Sequence, residues 1–304
     1  MGTHDALPDD RNDNVEIYIN GEFFHRAEAK ISVFDSGYLV GDGIWEGLRL
    51  HRGVFVFLAD HLDRLFAGLK TVAIDPEMSR KDLVAALYAT VDHNGMRDNV
   101  HVRMMITRGT KKTPAQHPDL TVSGPNVVII AEHKIADSAV TERGISLFTT
   151  TIRRPPPDVL DQKLNSHSKL HEVIALIQAT HAGADEALML DPHGAVATCN
   201  ATNFFIVKDG TLLTSTGQYS LNGITRSKVL KVASEAEIPV YERDFSLVDV
   251  YSADEAFVTG TFGGLTPVHT VDGRAIGTGS REMTLQLREL YDEEVQRDVD
   301  AGLR

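Results

Sequence analysis

Strand-like and helix-like segments alternate along this chain, and one polar stretch separates them into two groups. Residues 15–20 (Val-Glu-Ile-Tyr-Ile-Asn) follow the period-two pattern of a strand, and Asn20-Gly21 then signals a hairpin turn. Residues 136–143 are polar and interrupt the alternation, as a linker does. The sequence therefore predicts two α+β domains, with a ligand in the cleft between them.

Apolar periodicity predicts the other elements. Strands are expected at 29–34, 54–58, 100–107, 126–132, 145–152, 186–190, 203–207, 238–241 and 256–259, and helices at 80–94, 168–182, 225–236, 281–298 and after Asp60, a possible helix cap. In the helix 168–182, one apolar face contains Leu170, Val173, Ile174 and Ile177. The polar residues 1–14 are predicted to be a disordered leader. The predicted domains are 15–135 and 144–304.

The net charge, the lengths of the apolar runs and the cysteine and histidine residues limit the partners and metal sites that the sequence allows. The chain has 304 residues and a formal charge of −13, which argues against a nucleic acid or an anionic membrane as partner. No apolar run approaches the roughly 18 residues of a membrane helix, so a cytoplasmic protein is expected. The single cysteine, Cys199, excludes an intrachain disulfide and a thiolate zinc cluster. The 13 histidines show no metal-binding spacing, and no metal site is predicted.

Two turns in the second half are suited to an anion. Residues 222–226 (Asn-Gly-Ile-Thr-Arg) lead directly into a helix, whose first N–H groups lack intrahelical partners and carry the positive end of the helix dipole. Thr261 and Gly263-Gly264 form a second small-residue turn after a strand, where backbone amides can approach a ligand. Arg64, one turn into its helix, can bind phosphate in a bidentate manner. These features are suited to an anionic ligand.

Five short segments together resemble one enzyme family. They are Trp45-Glu-Gly-Leu-Arg49, His61-Leu-Asp-Arg64, Gly223-Ile-Thr-Arg226, Val258-Thr-Gly-Thr261 and the stretch around Lys163. In order and spacing they resemble class IV aminotransferases, the pyridoxal 5'-phosphate (PLP) enzymes that include branched-chain and D-amino-acid transaminases. The resemblance covers about residues 15–290. It implies the two-domain D-amino-acid aminotransferase-like fold (PLP fold type IV), with residues 144–304 forming an α/β pseudo-barrel.

The resemblance also implies roles for individual residues. The cofactor-binding positions are Arg64, Gly223, Ile224, Thr225 and Thr261 for the phosphate, with Thr198 and Asn203 in the segment that approaches the pyridine ring. The substrate-binding positions are Trp45, Arg49, His101, Arg103, Phe262 and Gly263. Thr198 stands where the family carries a glutamate that keeps the pyridine nitrogen protonated. His101 replaces a tyrosine of the branched-chain subfamily.

The lysine that the cofactor binds covalently is displaced from its usual position. A common family pattern is Pro-Lys-Ile-Lys-Ser-Leu-Asn-Tyr-Leu, in which the second lysine is catalytic. Aligned without gaps, residues 162–170 place Asn165 at this lysine and Lys169 at the tyrosine. Three interpretations follow: Lys163 is the catalytic lysine, Lys169 takes the role, or no lysine does.

The function implied is PLP-dependent transfer of an amino group from a small or branched amino acid, with the L form favoured, to a 2-oxo acid. One alternative is another PLP reaction on the same fold, either an aminodeoxychorismate-lyase-like elimination or an amine transamination. A second alternative is a PLP-independent or non-catalytic binder of a phosphorylated ligand, which Asn165 and Thr198 support. Family members are homodimers, so a homodimer is expected.

Overall fold

The chain divides into two compact units. The computed structural model describes residues 2, 3 and 5–302. The N-terminal unit comprises residues 7–135 and 164–168 together with the described part of 298–304, and the C-terminal unit comprises residues 136–163 and 169–297 with the described part of 1–6. The short segment 164–168 thus belongs to the N-terminal unit, although the chain on both sides of it belongs to the other.

The N-terminal unit is built on a six-stranded sheet. Its strands are β1 (Glu16–Ile19), β2 (Glu22–His25), β3 (Gly43–His51), β4 (Val54–Phe55), β5 (Val100–Thr107) and β6 (Asn126–His133), in the order β2-β1-β6-β5-β3-β4. Its helices are α1 (Ser36–Val40), α2 (Leu58–Thr71) and α3 (Arg80–His93), with short 3-10 helices at Asp10–Asn14 and Pro118–Leu120. All strand pairs in this sheet are antiparallel.

The predicted hairpin at Asn20-Gly21 is confirmed. Ile19 pairs with Glu22, so the loop has two residues. Asn20 and Gly21 both have positive φ, 50° and 99°, as a type I′ turn requires. An asparagine–glycine pair favours this turn because both residues tolerate the left-handed region, and the turn fixes the register of β1 and β2.

One face of the N-terminal sheet is covered by α2 and α3. Leu62, Leu65 and Leu69 recur at helical spacing on α2, and they pack with Ile44 and Leu48 of β3 in a single apolar core. Helix α2 begins at Phe57, which has φ 53° and donates its amide to Asp298 Oδ2, 2.7 Å away. The prediction that Asp60 caps this helix was wrong, since the chain enters the helix three residues earlier.

The C-terminal unit contains a nine-stranded sheet. Its strands are β7 (Ile145–Thr149), β8 (Glu186–Leu190), β9 (Val196–Cys199), β10 (Asn203–Lys208), β11 (Thr211–Thr214), β12 (Val240–Glu242), β13 (Glu255–Gly260), β14 (Gly264–Val271) and β15 (Arg274–Ala275). The order is β12-β11-β10-β13-β14-β7-β8-β9, with β15 paired to β14. The helices are α4 (Ser138–Arg143), α5 (Pro157–Leu160), α6 (Leu170–His181), α7 (Ile224–Glu235), α8 (Leu247–Tyr251) and α9 (Glu282–Ala301).

Helix α6 packs on the sheet through small residues. Ala175 and Ala179 are fully buried against Ala187 and Met189 of β8, where short side chains let the helix approach the strand. The predicted apolar face is instead exposed, at 71%, 49%, 39% and 48% for Leu170, Val173, Ile174 and Ile177. The apolar periodicity therefore identified the helix but not the face that is buried.

Three segments differ from the structure that the sequence predicted for them: a strand at 29–34, a linker at 136–143 and a disordered leader at 1–14. Residues 29–34 form an irregular segment with a turn at 33–34 instead of a strand, and local hydrogen bonds such as Ala29 N–H to the His25 carbonyl oxygen (2.9 Å) take the place of a ladder. The expected linker 136–143 contains helix α4, capped by Asp137. Within the expected leader 1–14, residues 10–14 form a 3-10 helix capped by Asp9. Two residues of that leader, 1 and 4, lie outside the described residues.

No helix in the described ranges combines the length and apolarity needed to cross a bilayer.

Candidate functional site

The N-terminus of α7 presents backbone amides to a ligand. Gly223 is the N-cap, with φ −64° and ψ 141°, and no described side chain caps the helix. The first N–H groups of a helix lack intrahelical partners, and the helix dipole adds positive potential at this end. Ile224 and Thr225 are buried at 9% and 4% exposure, so this end of the helix lies inside the unit. The N-terminus of α7 is therefore a buried helix end without a described side-chain cap, which is the feature on which the anion-site prediction depends.

Gly223 is required here by close packing against Asn203. A Cβ at position 223 would lie 2.3 Å from Asn203 Oδ1, while the Asn203 amide donates to the Leu221 carbonyl oxygen at 2.9 Å. Gly223→Ala should therefore lower the free energy of unfolding by about 1–3 kcal/mol, through overpacking. Gly260→Ala is the matched control, because its Cβ would meet only Thr202 Cγ2 at 3.5 Å. Urea denaturation measures both, and equal stabilities of the two variants would contradict this account of Gly223.

Thr198 is a neutral hydrogen-bond acceptor. Its hydroxyl group donates to the Thr202 carbonyl oxygen at 2.8 Å, and Asn203 Nδ2 lies 3.5 Å from the Thr198 oxygen. Thr202 in turn donates its own hydroxyl to the buried carboxylate of Glu186, at 2.8 Å. The hydroxyl proton of Thr198 is used in the hydrogen bond to Thr202, so towards a ligand the hydroxyl oxygen can only accept, for example from an N–H group. Because this oxygen is neutral, it has no charge that would keep a ligand nitrogen protonated.

The turn after β13 lies close to a buried hydroxyl. Thr259, in β13, is 2% exposed, and its hydroxyl oxygen has no hydrogen-bond partner in the described part of the chain. Thr261 and Gly263 follow, half-buried, with Phe262 buried between them, and Gly264 has φ 59°. A buried polar group without a partner is costly, so this turn is suited to a polar ligand atom.

The structure gives the two candidate lysines different surroundings. Lys163 lies in a turn and is exposed; its backbone amide donates to Asp161 Oδ1 at 2.9 Å, and its side chain makes no hydrogen bond or ion pair with the described residues. Lys169 directly precedes α6, and its ammonium group lies 3.5 Å from Glu172. Residue 163 therefore lies in a turn and not on a strand.

Asn165, which the sequence alignment places at the position of the family's lysine, is hydrogen-bonded to Trp45 within the N-terminal unit. It is 4% exposed. Its side-chain nitrogen Nδ2 donates to the backbone carbonyl oxygen of Trp45 at 2.7 Å, and its own backbone carbonyl oxygen accepts from the backbone N–H of Trp45 at 2.9 Å. The Trp45 indole N–H donates to the carbonyl oxygen of Ser166 at 3.1 Å. The side-chain oxygen of Asn165 is buried and lacks a partner among the described residues.

Arg64 lies against a buried carboxylate. Its Nε and Nη2 donate to Glu46 at 2.8 and 2.7 Å, and His61 Nδ1 lies 2.7 Å from Glu46 Oε2. Burial opposes ionisation of Glu46, but the hydrogen bonds from Arg64 and His61 hold its pKa below the usual 4.5. A guanidinium has five donors, and this pairing uses two of its nitrogens to orient Arg64.

Two of the predicted substrate residues come together on the N-terminal sheet. The guanidinium carbon of Arg103 on β5 lies 4.1 Å from the centre of the Trp45 ring on β3. Arg103 is an exposed residue of β5; partial desolvation by its neighbours lowers the pKa of its guanidinium below the ordinary value, and it remains a cation. The Cβ of a residue at position 47 would lie 3.3 Å from His101 Cε1, so the small Gly47 makes room for this ring. Arg49 donates to the Lys134 carbonyl oxygen at 2.7 Å.

The sequence patterns did not identify two buried carboxylates, Glu46 and Glu172, as partners of charged residues. Glu46 is fully buried in β3 between Ile44 and Leu48, whose side chains point to the core. A carboxylate at a core-facing position of a period-two strand is a signal that could have been used, because buried charges are nearly always paired. Glu172, which interrupts the buried face of α6, was missed for the same reason.

Among the described residues, no group of three or more His, Cys, Asp and Glu side chains is arranged to hold a metal ion. Cys199 is buried, which raises the pKa of its thiol well above the usual value and makes it a poor nucleophile.

Known proteins resemble this chain over most of its length. The family model of amino-transferase class IV matches residues 43–271. Branched-chain-amino-acid aminotransferase-like protein 1 of Arabidopsis thaliana is 40% identical over 90% of this chain and 49% of its own length. A putative branched-chain-amino-acid aminotransferase of Methanocaldococcus jannaschii is 38% identical, over 91% of this chain and 95% of its own. The T.th. branched-chain amino acid aminotransferase with pyridoxamine 5'-phosphate superposes with a TM-score of 0.86 at 30% identity, covering 94% and 95% of the two chains.

These matches confirm the predicted α+β fold of PLP fold type IV. The chain spans about half the length of the Arabidopsis protein and of a second Arabidopsis relative, of which it covers 51%.

Proposed function

Because the chain belongs to the class IV aminotransferase family, we propose that it binds pyridoxal 5'-phosphate and uses it to transfer an amino group from an amino acid to a 2-oxo acid. The observation that carries the proposal is the uncapped, buried N-terminus of α7, which fits the cofactor's phosphate. When bound, PLP supplies an electron sink for carbon–hydrogen bond cleavage next to the amino group.

The residues of the C-terminal unit support this cofactor assignment. Gly223, Ile224 and Thr225 would hold the phosphate through backbone amides and a hydroxyl, together with Thr261. The buried hydroxyl of Thr259, which has no hydrogen-bond partner among the described residues, is an additional polar group for the ligand. Thr198 could accept a hydrogen bond from the ring nitrogen only while that nitrogen is protonated, and it has no charge to stabilise this proton. The electron sink would therefore be weaker than with a carboxylate.

We assign Lys163 as the lysine that bonds covalently to the cofactor. A lysine attacks as the neutral amine, which requires that no carboxylate holds its proton. The Lys163 side chain is free of ion pairs within the described residues, whereas Lys169 lies 3.5 Å from Glu172. Lys163 would also move the proton between the substrate carbon and the cofactor.

Small or branched L-amino acids are the proposed substrates. The Trp-Glu-Gly-Leu-Arg segment 45–49 resembles the branched-chain subfamily, and the relatives above carry that description in their names. The Arg103 guanidinium, oriented by the Trp45 ring, is suited to a substrate carboxylate, as are the backbone amides of Phe262 and Gly263. Arg49 would assist from the same strand as Trp45. A cytoplasmic homodimer is the proposed state.

A direct assay tests this function. Purified protein with PLP and 2-oxoglutarate, assayed separately with L-leucine, L-valine and D-alanine at equal concentration, should form glutamate (both enantiomers measured) faster with the branched L-amino acids than with D-alanine. Exclusive use of D-alanine would reject the substrate proposal. No amino transfer from any member of a wider amino acid and amine panel would reject the reaction itself.

A second candidate function is a non-catalytic binder of a phosphorylated ligand. The specific observation in its favour is Asn165, whose amide is locked to the Trp45 carbonyl oxygen at the position of the family's lysine. In this case the protein would bind inorganic phosphate and pyridoxine 5'-phosphate, which has no aldehyde, but would show no amino transfer.

A further inference from the structure

A cavity of about 290 Å³ lies in the C-terminal unit beside the start of α9. It is lined by the first residues of β13, the end of β14 and the loop 276–281 that leads into α9. The turn at 261–264, which belongs to the candidate cofactor site, follows the other end of β13. Because a strand rises about 3.3 Å per residue, β13 separates this turn from the cavity by roughly 15 Å. The cavity is therefore distinct from the candidate cofactor site.

One part of the cavity lining is apolar. Ala256, Val268 and Ile276 are all buried, and each contributes to the lining. Pockets for small molecules are mostly apolar, with a few polar groups that orient the ligand, and they start at about 300 Å³. The cavity is therefore suited to a small ligand with a short apolar chain.

His269 adds a polar group to this lining. It lies at a shift in the register between β14 and β7, and such β-bulges redirect a side chain. No hydrogen bond to a described residue uses either nitrogen of its ring. Burial lowers the pKa of His269, and the charges of Arg143 and Arg281 add to this effect against the opposing charge of Asp185. The ring is therefore neutral at neutral pH and has one N–H to donate.

Arg281 places a permanent cation at the same cavity. Its Nη1 donates to the Glu142 carbonyl oxygen at 2.6 Å, and its Nη2 donates to the Arg143 carbonyl oxygen at 2.8 Å. These bonds fix the guanidinium against the end of α4 and use two of its five N–H donors. A guanidinium held in this way is suited to a carboxylate.

The carboxylate of Glu255 also lines the cavity, but its charge is compensated at the N-terminus of α9. Its Oε1 accepts from the Met283 backbone N–H at 2.9 Å, and its Oε2 accepts from the Thr284 backbone N–H and hydroxyl group at 2.8 and 2.7 Å. The positive end of the helix dipole stabilises this charge further. Glu255 is therefore a structural cap of α9 and is not placed to pair with a ligand cation.

We propose that this cavity is a second ligand site, for a small monocarboxylate with an aliphatic chain of a few carbons. Arg281 and His269 bind the carboxylate, and the apolar lining receives the chain. A 2-oxo acid or a short fatty acid has this chemistry. A free amino acid is disfavoured, because its ammonium group would meet Arg281 and only the compensated charge of Glu255. The proposal does not depend on the reaction proposed above.

The experiment is photolabelling of the full chain, in the presence of PLP, with azipentanoate, a five-carbon monocarboxylate whose diazirine loses dinitrogen on irradiation and inserts into a neighbouring bond. Peptide mapping should show saturable labelling at residues 255–256 or 268–281. An excess of 4-methylpentanoate should suppress this labelling, and isoamylamine, a branched amine, should not. Suppression by the amine at the same concentration would overturn the proposal, and so would labelling confined to 259–264, which would place the acid in the candidate cofactor site alone.

Arg281→Met should raise the concentration for half-saturation of this labelling at least about tenfold, because the charged partner of the carboxylate is lost. Arg274→Met is the matched control and should leave it unchanged, since the exposed Arg274 guanidinium lies 4.5 Å from the centre of the Tyr251 ring and does not line the cavity. If Arg281→Met does not fold, His269→Leu decides and should weaken labelling by about fivefold or more. Wild-type affinity in the folded variant would overturn the proposal, whatever reaction the protein catalyses.

Discussion

Replacing Lys163 with alanine should reduce amino transfer by at least about a hundredfold, because this lysine would both hold the cofactor and move the proton. The side chain is exposed and makes no hydrogen bond or ion pair with the described residues, so the fold should be unaffected. Lys169 should not compensate, because its ammonium group pairs with the Glu172 carboxylate at 3.5 Å. The measurement is the initial rate of L-glutamate formation at saturating substrate, with the unfolding midpoint recorded for each protein.

Lys208→Ala is the control for this change. Lys208 is also a lysine of the C-terminal unit, and its ammonium group bonds to Ser252 Oγ at 2.9 Å on the surface. Its replacement should leave the rate within about twofold of the wild type, as a surface pair contributes little. An unchanged rate in Lys163→Ala would contradict the assignment of the lysine, and a lowered unfolding midpoint would show that the residue is structural.

Replacing Glu46 with glutamine should destabilise the protein by about 3 kcal/mol, since removal of one partner from a buried ion pair leaves the other uncompensated. Glu46 is fully buried and bonded to both Arg64 and His61. Asp63→Asn on the same helix as Arg64 is the matched control, because the Asp63–Arg80 pair is exposed, and its loss should cost well under about 1 kcal/mol. Urea denaturation at neutral pH measures both; equal costs would contradict the structural role of Glu46.

The pH dependence of this effect follows from the lowered pKa of Glu46. A carboxyl whose pKa is lower in the folded than in the unfolded state stabilises the fold at pH values above its pKa in the unfolded state. This contribution is lost as the pH falls through its pKa in the folded state. The stability difference between wild type and Glu46→Gln should therefore be full at neutral pH and shrink below the usual pKa of 4.5. A difference that stays constant to strongly acidic pH would contradict the ion-pair explanation.

The sequence predicted most of the regular structure because local patterns determine it. Strand β5 was expected at residues 100–107, which are its observed bounds, and β8 was likewise expected at 186–190. The family segments also led to the N-terminus of α7, where Gly223 is required by its contact with Asn203. Such features depend on a few neighbouring residues, and these are visible in the sequence.

Features that depend on contacts between distant residues were not predictable in this way. The exposed apolar face of α6 could not be distinguished from a buried one, because its periodicity is the same in both cases. Glu172 and Arg154 are 18 positions apart, and no local pattern links them. The bonding of Asn165 to Trp45 spans 120 positions. The alignment placed Asn165 at the position of the family's lysine but gave no account of what its amide does.

The most direct test of the central claim is to treat the PLP-loaded protein with borohydride and map the labelled peptide by mass spectrometry. The proposed function predicts a reduced pyridoxyl group on Lys163, with Lys169 unlabelled. A label on another lysine, or a protein that binds the cofactor but yields no labelled peptide, would contradict it.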